Sequence, residues 1–300
     1  MKFYGKRLRL TPEEEQIVYK FREGQIRVTD KNNIVQGRLP KVLIFDIETA
    51  PLAAFIFQLK QRYVPKDSLF KGANYFMLSW SAKWLFGDEV MSDVVTPKEA
   101  LQEDDKRIAG SLWNLINEAD IVVSHNGKNF DHKMLNMRWL IHDIMPPTNF
   151  KVVDTYKVAK ENFFFPSYSL DYIAGILGVG HKLKHEGINM WKKCLAGDEN
   201  ALRDMSAYNN VDVEILEDVY LIFRPWVKNH PNIGLFLNSE NPVCHICGSE
   251  DLYEDGEHNT SVSKFKTLRC EECGSLSRQR VSEIPKDVRR ALLTGVPGTR

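Results

Sequence analysis

The stretch KVLIFDIETAP, Lys41 to Pro51, decides how this chain is read. It opens as a buried β-strand, a run of Val, Leu, Ile and Phe. Two acids then interrupt the run, two residues apart. Side chains alternate along a strand, so Asp46 and Glu48 share a face with Val42 and Ile44, while Leu43, Phe45 and Ile47 line the other. Burying one unpaired carboxylate is costly, and two on one face repel each other as well. Beyond Lys41 at its start the segment holds no base. The acids therefore need positive charge from elsewhere, or a strand end that meets water.

Outward from this strand the pattern is α/β. YFMLSWSAKWLF and EVMSDVV read as antiparallel partners of the acid-bearing strand. A helix is predicted over KEALQEDDKRIAGSLWNLINEA, a strand at DIVVSHN, a helix over DHKMLNMRWLIHD and a strand at FKVVDTY. From there to about Trp226 the chain reads as mostly helical. Strands first, then alternating helix and strand, predict a mixed sheet flanked by helices. Ahead of it, residues 1–40 read as a short helix and a hairpin forming an appendage. Composition shifts near Asn238–Pro242, which places the expected boundaries at 41–237 for the α/β domain, 238–282 for a small module and 283–300 for a tail.

The acids recur. In DIVVSHNGKNFDHKMLNMR a strand ends at Ser124-His125-Asn126, Gly127 allows a tight turn and Asp131 enters a helix. In ALRDMSAYNNVDVEILEDVYLIF an apolar stripe runs through Leu202, Met205, Tyr208, Val211, Ile215, Val219 and Phe223. Asp212 lies beside that stripe one turn beyond Tyr208, whereas Glu214, Glu217 and Asp218 read as a solvated face. If strand, loop and helix converge, Asp46, Glu48, Asp131 and Asp212 make an oxygen-rich cluster suited to Mg²⁺ or Mn²⁺, whose charge removes the repulsion. Two such ions ~3.5–4 Å apart clamp a phosphodiester for in-line displacement.

FDIET, HNGKNFD and YNNVD together resemble the three exonuclease motifs of the DEDD 3′–5′ exonuclease superfamily. The spacing of Tyr208 from Asp212 resembles the DEDDy branch, and Ala207 stands where the other branch carries histidine. Within that branch the chain resembles the exonuclease domain of family B DNA polymerases and its stand-alone bacterial and phage counterparts. The resemblance covers about Lys41 to Trp226 and implies a ribonuclease H-like fold. It implies that Asp46 bridges two metal ions, Glu48 and Asp212 complete one site, Asp131 holds the second ion through water, and Tyr208 places the attacking water. A phenol with a pKa near ~10 is a poor base at neutral pH, so Tyr208 is expected to orient rather than deprotonate. Thr49, Asn126 and Phe130 are the motif neighbours expected beside the terminal nucleotide, the phenylalanine as a stacking surface. His125 and His132 are read as structural. HKLKH, His181 to His185, is a basic cluster suited either to phosphate or to solvent.

Near the end, CHIC at Cys244–Cys247 and CEEC at Cys270–Cys273 form C-x₂-C-x₂₂-C-x₂-C, with Gly248 and Gly274 after the second cysteine of each pair. This is zinc-ribbon spacing, and four thiolates make a closed, structural site. Disulfides are the alternative for these cysteines in an oxidising compartment. LSRQRV beside them, with Arg278 and Arg280, is suited to nucleic acid or to a protein partner such as a polymerase. Cys194 reads as a buried small hydrophobe.

Lys plus Arg equals Asp plus Glu, 40 against 40, so net charge points to no partner. No apolar stretch reaches the ~18 residues of a membrane span, and the first residues lack the pattern of a secretory signal. The expectation is a cytoplasmic 3′–5′ exonuclease acting on single-stranded DNA 3′ ends, with RNA trimming, endonucleolytic cutting or a non-catalytic nucleic-acid-binding module as alternatives. A polymerase, if one is served, acts in trans.

Overall fold

The computed structural model describes residues 38–58, 63–70 and 74–295. The appendage expected over residues 1–40 lies outside them except for its last three positions. The described residues divide into two compact units, one within Lys41–Phe223 and the other made of 38–40 and 224–295.

The first unit is built on a five-stranded sheet of order β3-β2-β1-β4-β5. β1 (Val42–Thr49) is central, antiparallel to β2 (Met77–Trp84) and parallel to β4 (Ile121–Ser124). β3 (Met91–Val94) continues the antiparallel edge and β5 (Lys151–Asp154) the parallel one. The mixed sheet is as the pattern predicts.

The helix expected after β3 is two helices, α1 (Pro97–Gln102) and α2 (Lys106–Glu118). Thr96 and Glu99 form a capping box at the start of α1, and Glu103 ends it in the left-handed region at φ 54°. The break has a cause. Fully buried Asp105 precedes α2 and accepts from Arg138, His142 and the Met77 amide, so the chain bends to bring it inward.

α3 (Asp131–Ile141) follows β4, and α4 (Thr155–Asn162) follows β5 directly. α5 (Leu170–Leu177), α6 (Ile188–Leu195) and the 25-residue α7 (Glu199–Phe223) complete the unit. Leu43, Phe45 and Ile47 on one face of β1 join Ile108, Leu112 and Ile116 of α2 and Leu135 and Trp139 of α3 in the core. Cys194 is fully buried, as its reading predicts.

α7 covers the other face of the sheet, and its seam with β2 is polar. Ser79 Oγ donates to Asn209, Ser81 Oγ donates to Asn210, and Lys83 pairs with Glu217. These three β2 residues alternate along one face, so α7 lies in register along the strand. The expectation that Glu217 is solvated is thereby corrected. It is buried, bound by Lys83 and by the Phe86 amide, because α7 presents two faces to its unit rather than one stripe.

The second unit holds α8 (Gly234–Leu237), a three-stranded antiparallel sheet of β6 (Leu252–Asn259), β7 (Lys264–Cys270) and β8 (Leu276–Arg278), and α9 (Lys286–Arg290). Gly248 adopts φ +83° after Cys247, and a side chain there would meet Leu237 and Ile233. Arg278 lies over the Phe265 ring at 4.3 Å. Among the described residues, no helix is long and apolar enough to cross a membrane.

Candidate metal and nuclease centre

β1 brings Asp46 and Glu48 to its carboxyl end, opposite Ser81 and Ser79 of β2. Those serines are small, which leaves room for α7 to approach the acid-bearing face. α7 contributes fully buried Asp212, and potential ligand oxygens of Asp46, Glu48 and Asp212 all lie within 4.8 Å of one another. Three acids separated by up to 166 residues in sequence thus meet at one point.

Asp131 reaches the same region by a different route and is not one of that close trio. The parallel strand β4 ends at Ser124, and the chain turns at Asn126, whose φ is +65°. Asp154 holds that turn, its carboxylate accepting from the Asn126 amide at 2.8 Å while also capping α4. The left-handed residue is therefore Asn126, not Gly127. Gly127 is needed for space, since a Cβ there would lie 2.0 Å from Ser124 Oγ. The turn delivers Asp131 to the start of α3, almost fully buried, with its carboxylate against the Ile47 amide.

The electrostatics are those of a site built for a cation. Burial is the largest cause of the raised pKa of Asp46, followed by the charges of Asp131, Glu48 and Asp212. Burial likewise pushes Glu48 to about 7, with Lys182 opposing and Asp212 and Asp131 adding to the rise. Asp131 also rises to about 7 through burial, its backbone hydrogen bonds opposing. Asp212 is raised by burial against the pull of Lys182. One of its oxygens, Oδ1, is buried without a hydrogen-bond partner. Such an orphan is uncommon, and a bound cation is one thing that satisfies it. An all-oxygen, anionic donor set suits Mg²⁺ or Mn²⁺.

Lys182 is the residue the sequence reading did not single out. It comes from the basic cluster before α6, and its Nζ lies 2.5 Å from Asp212 Oδ2 and 3.1 Å from the Tyr208 hydroxyl. Burial opposes its charge, but Asp212 and Asp46 outweigh that and hold it protonated. The cluster itself is the only sequence signal; nothing in HKLKH tells which lysine turns inward. Tyr208 is mostly buried, with the His185 ring edge-on at 5.0 Å. Burial and the Asp212 charge raise its phenol further.

The expected nucleotide contacts are more scattered. Thr49 ends β1, with its carbonyl accepting from Trp191 Nε1 at 3.1 Å. Phe130 is partly exposed at the start of α3. Asn126 lines a cavity of about 560 Å³ beside Asp46, together with His125, Tyr156, Tyr168 and Lys182. His125 is held at both ring nitrogens, by Thr155 Oγ1 and the Tyr168 carbonyl. The His132 ring packs between Phe45 and Phe150.

In the second unit Cys244, Cys247, Cys270 and Cys273 are all free thiols with their sulfurs within 4.8 Å. The Cys244–Cys273 and Cys247–Cys270 separations are 3.6 and 3.5 Å. A disulfide needs about 2.05 Å, whereas sulfurs ~2.3 Å from a tetrahedral zinc stand about 3.8 Å apart. The set fits zinc. His245 is engaged elsewhere, with Ser277 Oγ at 2.7 Å.

Residues 82–223 match the family model RNase_H_2 of the RNase H superfamily. The match takes in Asp131, Lys182, Tyr208 and Asp212 but starts beyond Asp46 and Glu48. The fold is also similar to a solved structure titled as the family B DNA polymerase from the hyperthermophilic archaeon Pyrobaculum calidifontis, at 17% identity and a TM-score of 0.46. That match covers 62% of this chain and 25% of the other, so the chain spans about a quarter of that polymerase. No curated protein sequence matches. With its mixed sheet, its order of strands and the match over residues 82–223, the Lys41–Phe223 unit has a ribonuclease H-like fold.

Proposed function

We propose that the ribonuclease H-like domain is a metal-dependent 3′–5′ exonuclease. It removes nucleoside 5′-monophosphates from single-stranded nucleic acid, with DNA the favoured polymer. The observation that carries this reading is the buried convergence of Asp46, Glu48 and Asp212, with Asp131 adjacent, around an unpartnered Asp212 oxygen. The three motifs that bear these residues, in this order, support the 3′–5′ polarity.

Asp46, Glu48, Asp131 and Asp212 would hold two Mg²⁺ or Mn²⁺ ions, which supply positive charge to the phosphate and acidify the attacking water. Everything else falls to the chain. The four carboxyls keep the centre anionic enough to recruit the cations. Tyr208 holds its hydroxyl beside Asp212 through Lys182, placed to orient water rather than to take its proton. Lys182 brings a cation within reach of the phosphate. Thr49, Asn126 and Phe130 are the proposed contacts of the terminal nucleotide, Asn126 from the wall of the cavity beside Asp46.

Cys244, Cys247, Cys270 and Cys273 are proposed to bind one structural Zn²⁺, making the second unit a ribbon that docks a replication or repair protein. The compartment proposed is the cytoplasm. Digestion of single strands labelled at the 5′ or the 3′ end, with Mg²⁺ and with EDTA, tests the reading. Stepwise loss from the 3′ end, abolished by EDTA, is expected. Internal fragments identify an endonuclease, and binding without turnover identifies a non-catalytic module.

A further inference from the structure

Asn209 stands directly after Tyr208 and is fully buried. Its Nδ2 donates to Asp46 Oδ2 at 2.7 Å, and its Oδ1 accepts, at a longer 3.4 Å, from Ser79 Oγ. The orientation is set at the Asp46 end, since the serine hydroxyl at the other end can donate or accept. A carboxylate only accepts, so the amide must turn its NH₂ toward Asp46, and its carbonyl is then left for the serine hydroxyl. The neighbouring pair Ser81–Asn210 joins the same two elements but does not reach an acid. Among the described residues, Asn209 alone links β1, β2 and α7 in one hydrogen-bonded chain, and β1 and α7 are the elements that carry Asp46, Glu48 and Asp212.

We infer that Asn209 is a positioning residue for cation binding: it fixes the Asp46 carboxylate, and its distance from Asp212, before the ion arrives. This rests on the metal reading above. A neutral donor suits the task. A lysine or arginine at this place would compete with the ion for Asp46, whereas an amide satisfies one oxygen and leaves the other, with the carboxylate's charge, for the cation. A donor that holds a ligating group in one orientation typically changes metal affinity by 10- to 100-fold when removed. Ser79 contributes less, since it acts only through Asn209 and over a longer contact.

The test is Mn²⁺ affinity measured by calorimetry on the full-length protein without substrate, alongside thermal melts, for wild type, Asn209→Ala, the near-isosteric Asn209→Leu and Ser79→Ala. The expected result is Mn²⁺ binding weakened about tenfold or more in both Asn209 variants and about threefold in Ser79→Ala, with the melting temperature of Ser79→Ala near wild type. If the Asn209 variants do not fold, Ser79→Ala decides alone. Wild-type affinity in the folded variants, with only lower melting temperatures, would reduce Asn209 to a packing role and overturn the inference. Absence of Mn²⁺ binding in wild type would instead overturn the metal reading itself.

Discussion

Lys182 Nζ bridges Asp212 Oδ2 and the Tyr208 hydroxyl, so one cation occupies the side of Asp212 that faces the tyrosine. It neutralises part of the charge of a cluster in which four carboxyls are pushed above their ordinary range. A divalent cation and Lys182 are therefore rivals for Asp212. The Lys182→Met variant should bind Mn²⁺ at least as tightly as wild type while turning over substrate at least tenfold more slowly, since the phosphate loses a positive partner. Weaker Mn²⁺ binding in that variant would show that Lys182 organises the site instead of competing in it.

Tyr208→Phe removes a hydroxyl and little else. With the phenol raised by burial and by Asp212, it has no role as a base near neutral pH. The expected loss in kcat is about 10- to 100-fold, well short of the loss from Asp212→Ala, which should leave no measurable hydrolysis. Equal losses in the two variants would assign proton transfer to the tyrosine.

The raised carboxyls make stability pH-dependent with a definite sign. Their folded pKa values lie above the ~4 of an unfolded chain, so the stability they contribute is complete below ~4 and is lost as pH rises through about 7, where Glu48 and Asp131 titrate. Metal-free protein should melt at a higher temperature at pH 5.5 than at pH 8. Glu48→Gln should show a smaller difference, and saturating Mn²⁺ should diminish it in wild type. Melts of both proteins at the two pH values, with and without Mn²⁺, check this; an unchanged difference in Glu48→Gln would count against it.

Lys83 and Glu217 form a buried pair in the seam between β2 and α7. Lys83→Met strands the Glu217 charge and should cost about 3–5 kcal/mol in urea denaturation. Adding Glu217→Met should recover most of that loss. A single-variant cost below ~1 kcal/mol, the range of exposed pairs, would show the pair to be solvated.

The cysteine unit should respond to metal removal separately from the nuclease domain. A zinc chelator is expected to melt β6–β8 and α8, because so small a core does not hold without its ion. The far-UV signal and the substrate-independent melt of the Lys41–Phe223 unit should persist. A single cooperative transition for the whole chain, lost on chelation, would contradict that.

Much of this was legible in the residues. Period-two alternation placed Asp46 and Glu48 on one face, and the helical stripe placed Asp212 beside Tyr208. Two acids in a strand and one at a core helix can be stable together only if something positive joins them, and their convergence follows. The break between α1 and α2 was not legible, because it depends on Asp105 meeting Arg138 and His142 from α3. Glu217 reads as solvated for the same kind of reason, since its partner Lys83 lies 134 residues away on β2. Lys182 was hidden because a loop has no periodicity to say which way a side chain points. In each case the missing information was a long-range polar contact.

The most direct test of the account is the anomalous scattering of manganese in a crystal grown with Mn²⁺. The account predicts a peak bonded to oxygens of Asp46, Glu48 and Asp212, with Lys182 Nζ displaced from Asp212. No peak among those carboxylates, with Lys182 still on Asp212, would contradict it.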